Sequence, residues 1–380
     1  MRSRDRVLRS IAFREVDFTP LCLHAWPGLR RECAGIREYA ERQTELGIDV
    51  VLPLPRLPVE MDHAREAVTT REERSPYPLL KKTFRTPAGS LDVAVEQTAD
   101  WPHGNDVVVW SDFTVPRSKK LPVCTAEDIE PLEHLLSRRH SPDLERVREA
   151  ARETSAVAAE LGLATIAHVE GLSSAIYRFA GPEALAVWGL DDPAAMQRLV
   201  DVVAAWEARR TSFYLERGAD IVSKGEWAAG AFLSPDLFRT FMMPVLKQEI
   251  ARVHEAGAVY CYHGSVDMMP YLDLIREAGA DVLFGVDPLE GRWDLGKTKE
   301  ICGEDVALWG GMNGYLQVCR ASPQETERAV EAALHTLAPG GGFILCPVDD
   351  VPLRENPAAT WENLRHMART WRAMCQPRRP

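Results

Sequence analysis

The stretch Ala258–Val286, AVYCYHGSVDMMPYLDLIREAGADVLFGV, decides the fold. It opens with a near-continuous apolar run, AVYCYHG (Ala258–Gly264), and closes with another, ADVLFGV (Ala280–Val286). Between them Met269, Leu272 and Ile275 recur at helical spacing, and Gly279 supplies a stop. A strand that is apolar at every position, not at alternate ones, is a strand covered on both faces, as in a parallel sheet flanked by helices. The same run recurs at TPLCLH (Thr19–His24), DVVLPL (Asp49–Leu54), ATIAHV (Ala164–Val169) and ADIVSKG (Ala219–Gly225). It recurs again at VALWGGM (Val306–Met312) and GFILCPV (Gly342–Val348). Eight such runs separated by helical stretches predict a single-domain (β/α)8 TIM barrel spanning 1–380. A doubly wound sheet would carry a glycine-rich phosphate turn after an early strand, and neither GxGxxG nor GxxxxGK[ST] occurs. Gly340–Gly342 precedes its strand and reads as a tight turn.

One segment breaks the rhythm. About a hundred residues separate the second and third runs, too many for an ordinary crossover. An insert at about 57–160 is expected, with a hairpin in LKKTFRTPAGSLDVAVEQ turning at Pro87–Ala88–Gly89. A further strand is expected in VVVWSDFTV (Val107–Val115), then helices over Ala126–Leu136 and Leu144–Leu161. The insert is expected to cap the substrate end.

Composition excludes several classes. The 380 residues carry 46% hydrophobic and 27% charged residues, as an ordinary globular chain does. There is no apolar run long enough for a membrane span, and the start MRSRDRVLRSIAFREVDF lacks the apolar core of a secretory leader. Eight scattered cysteines without a CxxC pair suit a reducing, cytoplasmic setting. Against a net charge of −11, Lys119–Lys120 and Arg138–Arg139 are the best local basic clusters, and both are too short to bind nucleic acid. A small-molecule substrate is the expected partner, and oligomeric state is not encoded legibly.

In a parallel barrel, chemistry gathers at the C-terminal strand ends. Those ends carry His24, His168 with Glu170, Lys224 with Glu226, and His263 with Ser265 and Asp267. They also carry Asp287, Asn313, and Cys346 with Asp349 and Asp350. Each has a structural alternative. Cys346 reads more readily as a small buried hydrophobe than as a thiolate, and Glu226 equally as a helix cap or a partner for Lys224. The Asp349–Asp350 pair suits a turn before Pro352. His24 and His168 suit satisfied core polar groups.

The blocks FLSPDLFRTFMMPVLKQ, VYCYHGSVDMMPYLDLIREAGADVLFGVDP, EDVALWGGMN and PGGGFILCPVDDVP resemble the uroporphyrinogen decarboxylase superfamily. That superfamily also holds the zinc methyltransferases of corrinoid-linked methyl metabolism, and the resemblance implies a (β/α)8 barrel. The decarboxylase branch implies an arginine-rich loop after the first strand and an aspartate after the second. The matching stretches here read HAWPGLRRE (His24–Glu32) and LPLPRLPVE (Leu52–Glu60). The methyltransferase branch implies zinc on a His-x-Cys after the fifth strand and a cysteine after the eighth. Here His263 is kept, Ser265 replaces the first cysteine and Asp349 the second, with Cys346 three residues earlier.

The resemblance therefore implies metal-assisted methyl transfer, with Zn2+ on Glu226, His263, Asp349 and Cys346, and a methyl-corrinoid delivered by a separate corrinoid protein. A second reading is metal-free acid–base chemistry of the decarboxylase type on a carboxylate or tetrapyrrole. In it His263, His24 and Asp349 move protons, with His168 beside them. Arg30, Arg31 or Lys224 grips a carboxylate, and Asn313 contacts substrate. A third is a non-catalytic binding barrel.

Overall fold

The computed structural model describes residues 1–375 except 25, 62–63, 138–142, 292, 349–350 and 354. The eleven strands are β1 (Val51–Pro53), β2 (Ala67–Glu72), β3 (Leu79–Thr86), β4 (Gly89–Glu96), β5 (Ser118–Lys120) and β6 (Ala164–Glu170), then β7 (Ile221–Gly225), β8 (Val259–His263), β9 (Val282–Val286), β10 (Ala307–Asn313) and β11 (Phe343–Val348). Seven of them form one curled parallel sheet in the order β1-β6-β7-β8-β9-β10-β11. Chain order and sheet order agree, as in a singly wound α/β fold. The first expected strand is reduced to two bridges. Leu21 pairs with Leu345 beside β11, and Cys22 pairs with Asp49 just ahead of β1, so this short segment touches both ends of the sheet.

Curling gives the sheet an inside and an outside, and side-chain parity sorts residues between them. A small inner core holds Cys22, Val51, Ile166, Ile221, Cys261, Phe284, Trp309, Ile344 and Cys346. The larger outer core packs the other strand faces against helices, with Val169, Val222, Tyr260, Tyr262, Leu283 and Leu345 among its members. The helix Leu272–Ala278 ends at Gly279, whose φ of 87° is open to glycine without a Cβ clash. Gly285 meets a different demand. At φ 101°, a Cβ there would lie 2.0 Å from the carbonyl oxygen of Gly264, so glycine lets the loop after β8 lie directly on β9.

Strands β2–β5 form a separate antiparallel sheet in that order, with β3 and β4 joined across Pro87–Ala88. Residues 107–113 form no strand. Val107 and Val109 are buried as anchors, and Thr114–Arg117 turns into a short helix closed by the Thr114 hydroxyl donating to the Val108 carbonyl. Apolar character there marks burial, not extension. Helices cover Ile129–Leu136 and Leu144–Leu161. All eight cysteines are free. No helix among the described residues is long and apolar enough to cross a membrane.

Candidate active site

Parity places three histidines on the inner face at the C-terminal edge of the sheet. Cys261 and His263 are two residues apart on β8, and Cys261 belongs to the inner core. By the same rule Ile166 carries His168, and Cys22 carries His24. The rings meet. The His24 centroid lies 4.6 Å from His168 and 5.5 Å from His263, both edge-to-face. His24 stacks on Phe284 at 3.8 Å, while His263 meets that ring edge-on at 4.4 Å. Trp309 stands edge-on to His24 at 5.4 Å and completes an aromatic floor. Below it, Cys22, Cys261 and Cys346 fill the inner core.

The electrostatics are one-sided. Burial, then the neighbouring His168 and His263 and the charge of Arg56, hold His24 well below its ordinary pKa. Burial followed by Arg56 and His263 lowers His168 to about 3, and burial followed by Arg56 lowers His263 to about 4. All three imidazoles are therefore neutral at pH 7. The Nε2 atoms of His24 and His168 are shut off from solvent and have no hydrogen-bond partner among the described residues. A buried polar atom without a partner costs about 1–3 kcal/mol, so such atoms call for a functional account.

Other expected site residues lie elsewhere. Lys224 pairs in register with Val169 and Tyr262, both on the outer face. Its ammonium is buried between Glu207 at 3.0 Å and Glu249 at 3.4 Å. Burial opposes that charge, but the two carboxylates outweigh it and raise the lysine pKa, while burial pushes Glu207 up to about 8. Glu226 lines a small cavity of about 10 Å3 together with Lys224, Tyr260 and Tyr262. One Glu226 oxygen accepts from the Leu172 N–H at 2.8 Å. The other accepts from the Ser173 N–H and hydroxyl at 2.9 and 2.6 Å. Glu226 thus serves as an anionic cap for the helix Leu172–Glu183 across the strand boundary. Gly171 makes room for it, since a Cβ there would sit 2.2 Å from the Glu226 carboxyl carbon.

Asn313 donates to Asp287 at 2.7 Å and accepts from the Leu316 N–H, tying two strand-end loops together. Arg30 is exposed on the helix Pro27–Glu32 and lines a surface cavity of about 340 Å3 with Ile36, Pro53 and Glu153. Asp349, with Asp350, lies outside the described residues.

The zinc set implied by resemblance does not assemble from its described members. Both Glu226 oxygens are occupied. The Cys346 thiol donates to the Pro347 carbonyl at 3.3 Å, and burial pushes its pKa up to about 12. Among the described residues, no three His, Cys, Asp or Glu side chains are grouped to hold a metal. Reading strand ends without parity missed Arg56, Phe284 and Trp309. The Cys261–His263 spacing carried that signal, because Phe284 is the register partner of His263 and Trp309 that of Phe284.

A family model of uroporphyrinogen decarboxylase (URO-D) matches residues 104–373. The chain belongs to the uroporphyrinogen decarboxylase family. No curated protein matches it. Among solved structures, a methyltransferase from Methanosarcina mazei is similar with a TM-score of 0.64 at 16% identity, covering 98% of this chain and 99% of that one. A B12-independent methionine synthase from Shewanella sp. W3-18-1, in complex with selenomethionine, gives 0.53 at 10% identity, covering 89% and 86%. At these identities the likeness is one of fold. As a member of that family, the chain is an enzyme of the uroporphyrinogen decarboxylase superfamily.

Proposed function

We propose that this family member performs acid–base chemistry of the decarboxylase type on a small carboxylate at the His24–His168–His263 cluster. The observation that supports this most is the pair of sealed, unpartnered imidazole nitrogens beside His263. No group among the described residues uses them, which leaves their bonding capacity to a ligand. In this reading the sheet, with Leu21–Cys22 between its ends, is a closed (β/α)8 barrel, and the 57–160 insert with its β3–β4 hairpin caps the substrate end.

Loss of CO2 breaks the carbon–carboxyl bond and leaves its electron pair on the substrate carbon, which must then take a proton. A neutral imidazole of low pKa is a poor donor and a weak base. A bound anion beside it favours the charged form and raises that pKa, so substrate arms the acid it needs. His263 is the proposed donor, His24 and His168 hold the substrate through Nε2, and Asp349 shares the proton work. Phe284 and Trp309 exclude water from beneath.

The test is incubation in D2O with a panel of small carboxylic acids and uroporphyrinogen, following CO2 release and deuterium at the vacated carbon. One substrate should be converted, and His263→Asn should slow it roughly 100- to 10,000-fold. The proposal fails if nothing in the panel is decarboxylated.

Methyl transfer to a small acceptor from a methyl-corrinoid on a separate protein is the second reading. It is favoured by the end-to-end structural match to the Methanosarcina mazei methyltransferase. Stoichiometric zinc in unchelated protein, together with demethylation of methylcobalamin, would establish it. Ligand binding without either reaction would leave a non-catalytic barrel.

A further inference from the structure

On the outer face of the sheet the Lys224 cluster leaves two buried polar atoms unspent, and we propose that together they hold one internal water molecule. Lys224 of β7, Tyr260 and Tyr262 of β8, and Glu207 of the helix Pro193–Leu215 line one cavity of about 10 Å3, with Glu226 and Glu249. The bonding of its polar walls can be followed group by group.

Most of it is spent within the protein. Both Glu226 oxygens accept from the start of the helix Leu172–Glu183. One Glu249 oxygen accepts from the Thr211 hydroxyl at 3.0 Å, and the other from the Arg252 guanidinium at 3.2 Å. The Lys224 ammonium donates to Glu207 Oε2 at 3.0 Å. Glu207 Oε1 and the Tyr262 hydroxyl are left over. Both are sealed from bulk solvent, and neither has a hydrogen-bond partner among the described residues. Glu207 is 3% exposed and Tyr262 0%, so neither turns out to the surface to find one. An unanswered buried polar atom is costly and rare, and two of them lining one cavity call for a shared partner.

Size and chemistry select water. Seating one water takes roughly 10–15 Å3 and two to four polar partners, and a cavity walled by polar groups is wet where an apolar one stays dry. The space here is enough for a single water and too small for an organic ligand. Burial pushes Glu207 up to about 8, so its carboxyl holds a proton at pH 7 and gives it up in mild alkali. Water donates and accepts, and it serves Oε1 in either state. A metal ion needs several lone pairs, and no three His, Cys, Asp or Glu side chains among the described residues are grouped to supply them. With the water in place, β8 is tied through Tyr262 to Glu207, and the Lys224 cluster has no bonding capacity left over. The histidine cluster lies on the opposite face, so this site and the acid–base reading stand or fall separately.

Crystallography of the full chain, at a resolution that shows ordered water, checks the assignment. Density for one water should lie about 2.5–3.0 Å from both Glu207 Oε1 and the Tyr262 hydroxyl. Tyr262→Phe removes one partner and no charge, and it should abolish that density while Lys224, Glu207 and Glu249 stay in place. The solution counterpart is oxygen-17 relaxation dispersion, which should count one long-lived water fewer in Tyr262→Phe than in wild type. A dry cavity, a direct Glu207–Tyr262 hydrogen bond, or the short, crowded oxygen contacts of a metal ion overturns the proposal. So does density that persists in Tyr262→Phe, or an equal count of long-lived waters in the two proteins.

Discussion

Two polar clusters lie on opposite faces of the same curled sheet, and they have opposite characters. Inside the curled sheet, His263 of β8 joins His24 and His168 as neutral rings with nitrogens left over. Outside it, Lys224 of β7 sits among Glu207 and Glu249, while Glu226 closes a helix end. The outer cluster is an ion-paired brace whose charges answer one another. The inner one has unused bonding capacity at the end of the sheet where this architecture puts its chemistry. Polarity and burial alone do not mark a site; unanswered bonding capacity does.

The largest expected effect comes from removing the cation of the brace. Lys224→Met should cost about 3–5 kcal/mol in urea unfolding, because the buried Glu249 carboxylate loses its counter-charge and Glu207 its hydrogen-bond donor. His263→Asn should leave that curve within about 1 kcal/mol of wild type while activity collapses. If the histidine variant unfolds and the lysine variant does not, the contrast between the clusters is broken.

Next comes the cap. Gly171→Ala pushes a methyl group into the Glu226 carboxyl and should cost about 1–3 kcal/mol in the same assay. An unchanged midpoint would mean Glu226 is free to leave the helix end.

Smaller effects should appear as pH slopes of opposite sign. His168 and His263 have folded pKa values near 3 and 4, below the ordinary 6.5. Their contribution is therefore present above pH 6.5 and lost as pH falls towards 4. Replacing both with Gln should flatten the acid side of a melting-temperature profile. Glu207, raised to about 8, works the other way. Its contribution is present below about pH 4.5 and lost as pH rises through 8, so Glu207→Gln should flatten the alkaline side. Unchanged slopes in either variant would remove that cluster from the titration.

Much of this was legible in the residues. The continuous apolar runs located the strands of the parallel sheet because strands covered on both faces admit few polar groups. The three histidines could be picked out because they end such runs. The alternation within AVYCYHG even assigned Cys261 and His263 to one face. The same alternation within ADIVSKG, applied strictly, sends Lys224 to the opposite face from Ser223. Glu226 was less legible, since its partners Leu172 and Ser173 lie over fifty residues away.

The order of strands and the face of each side chain are thus local properties, written in the period of the chain. Which polar groups answer one another is not. That Tyr214 and Arg210 hold the Pro55–Pro58 loop, that Glu226 spends its bonding capacity on a distant helix end, and that two imidazole nitrogens find no partner among the described residues were settled only by tertiary packing. Hydrogen bonds and charges act over a few ångströms of space, whatever the separation along the chain.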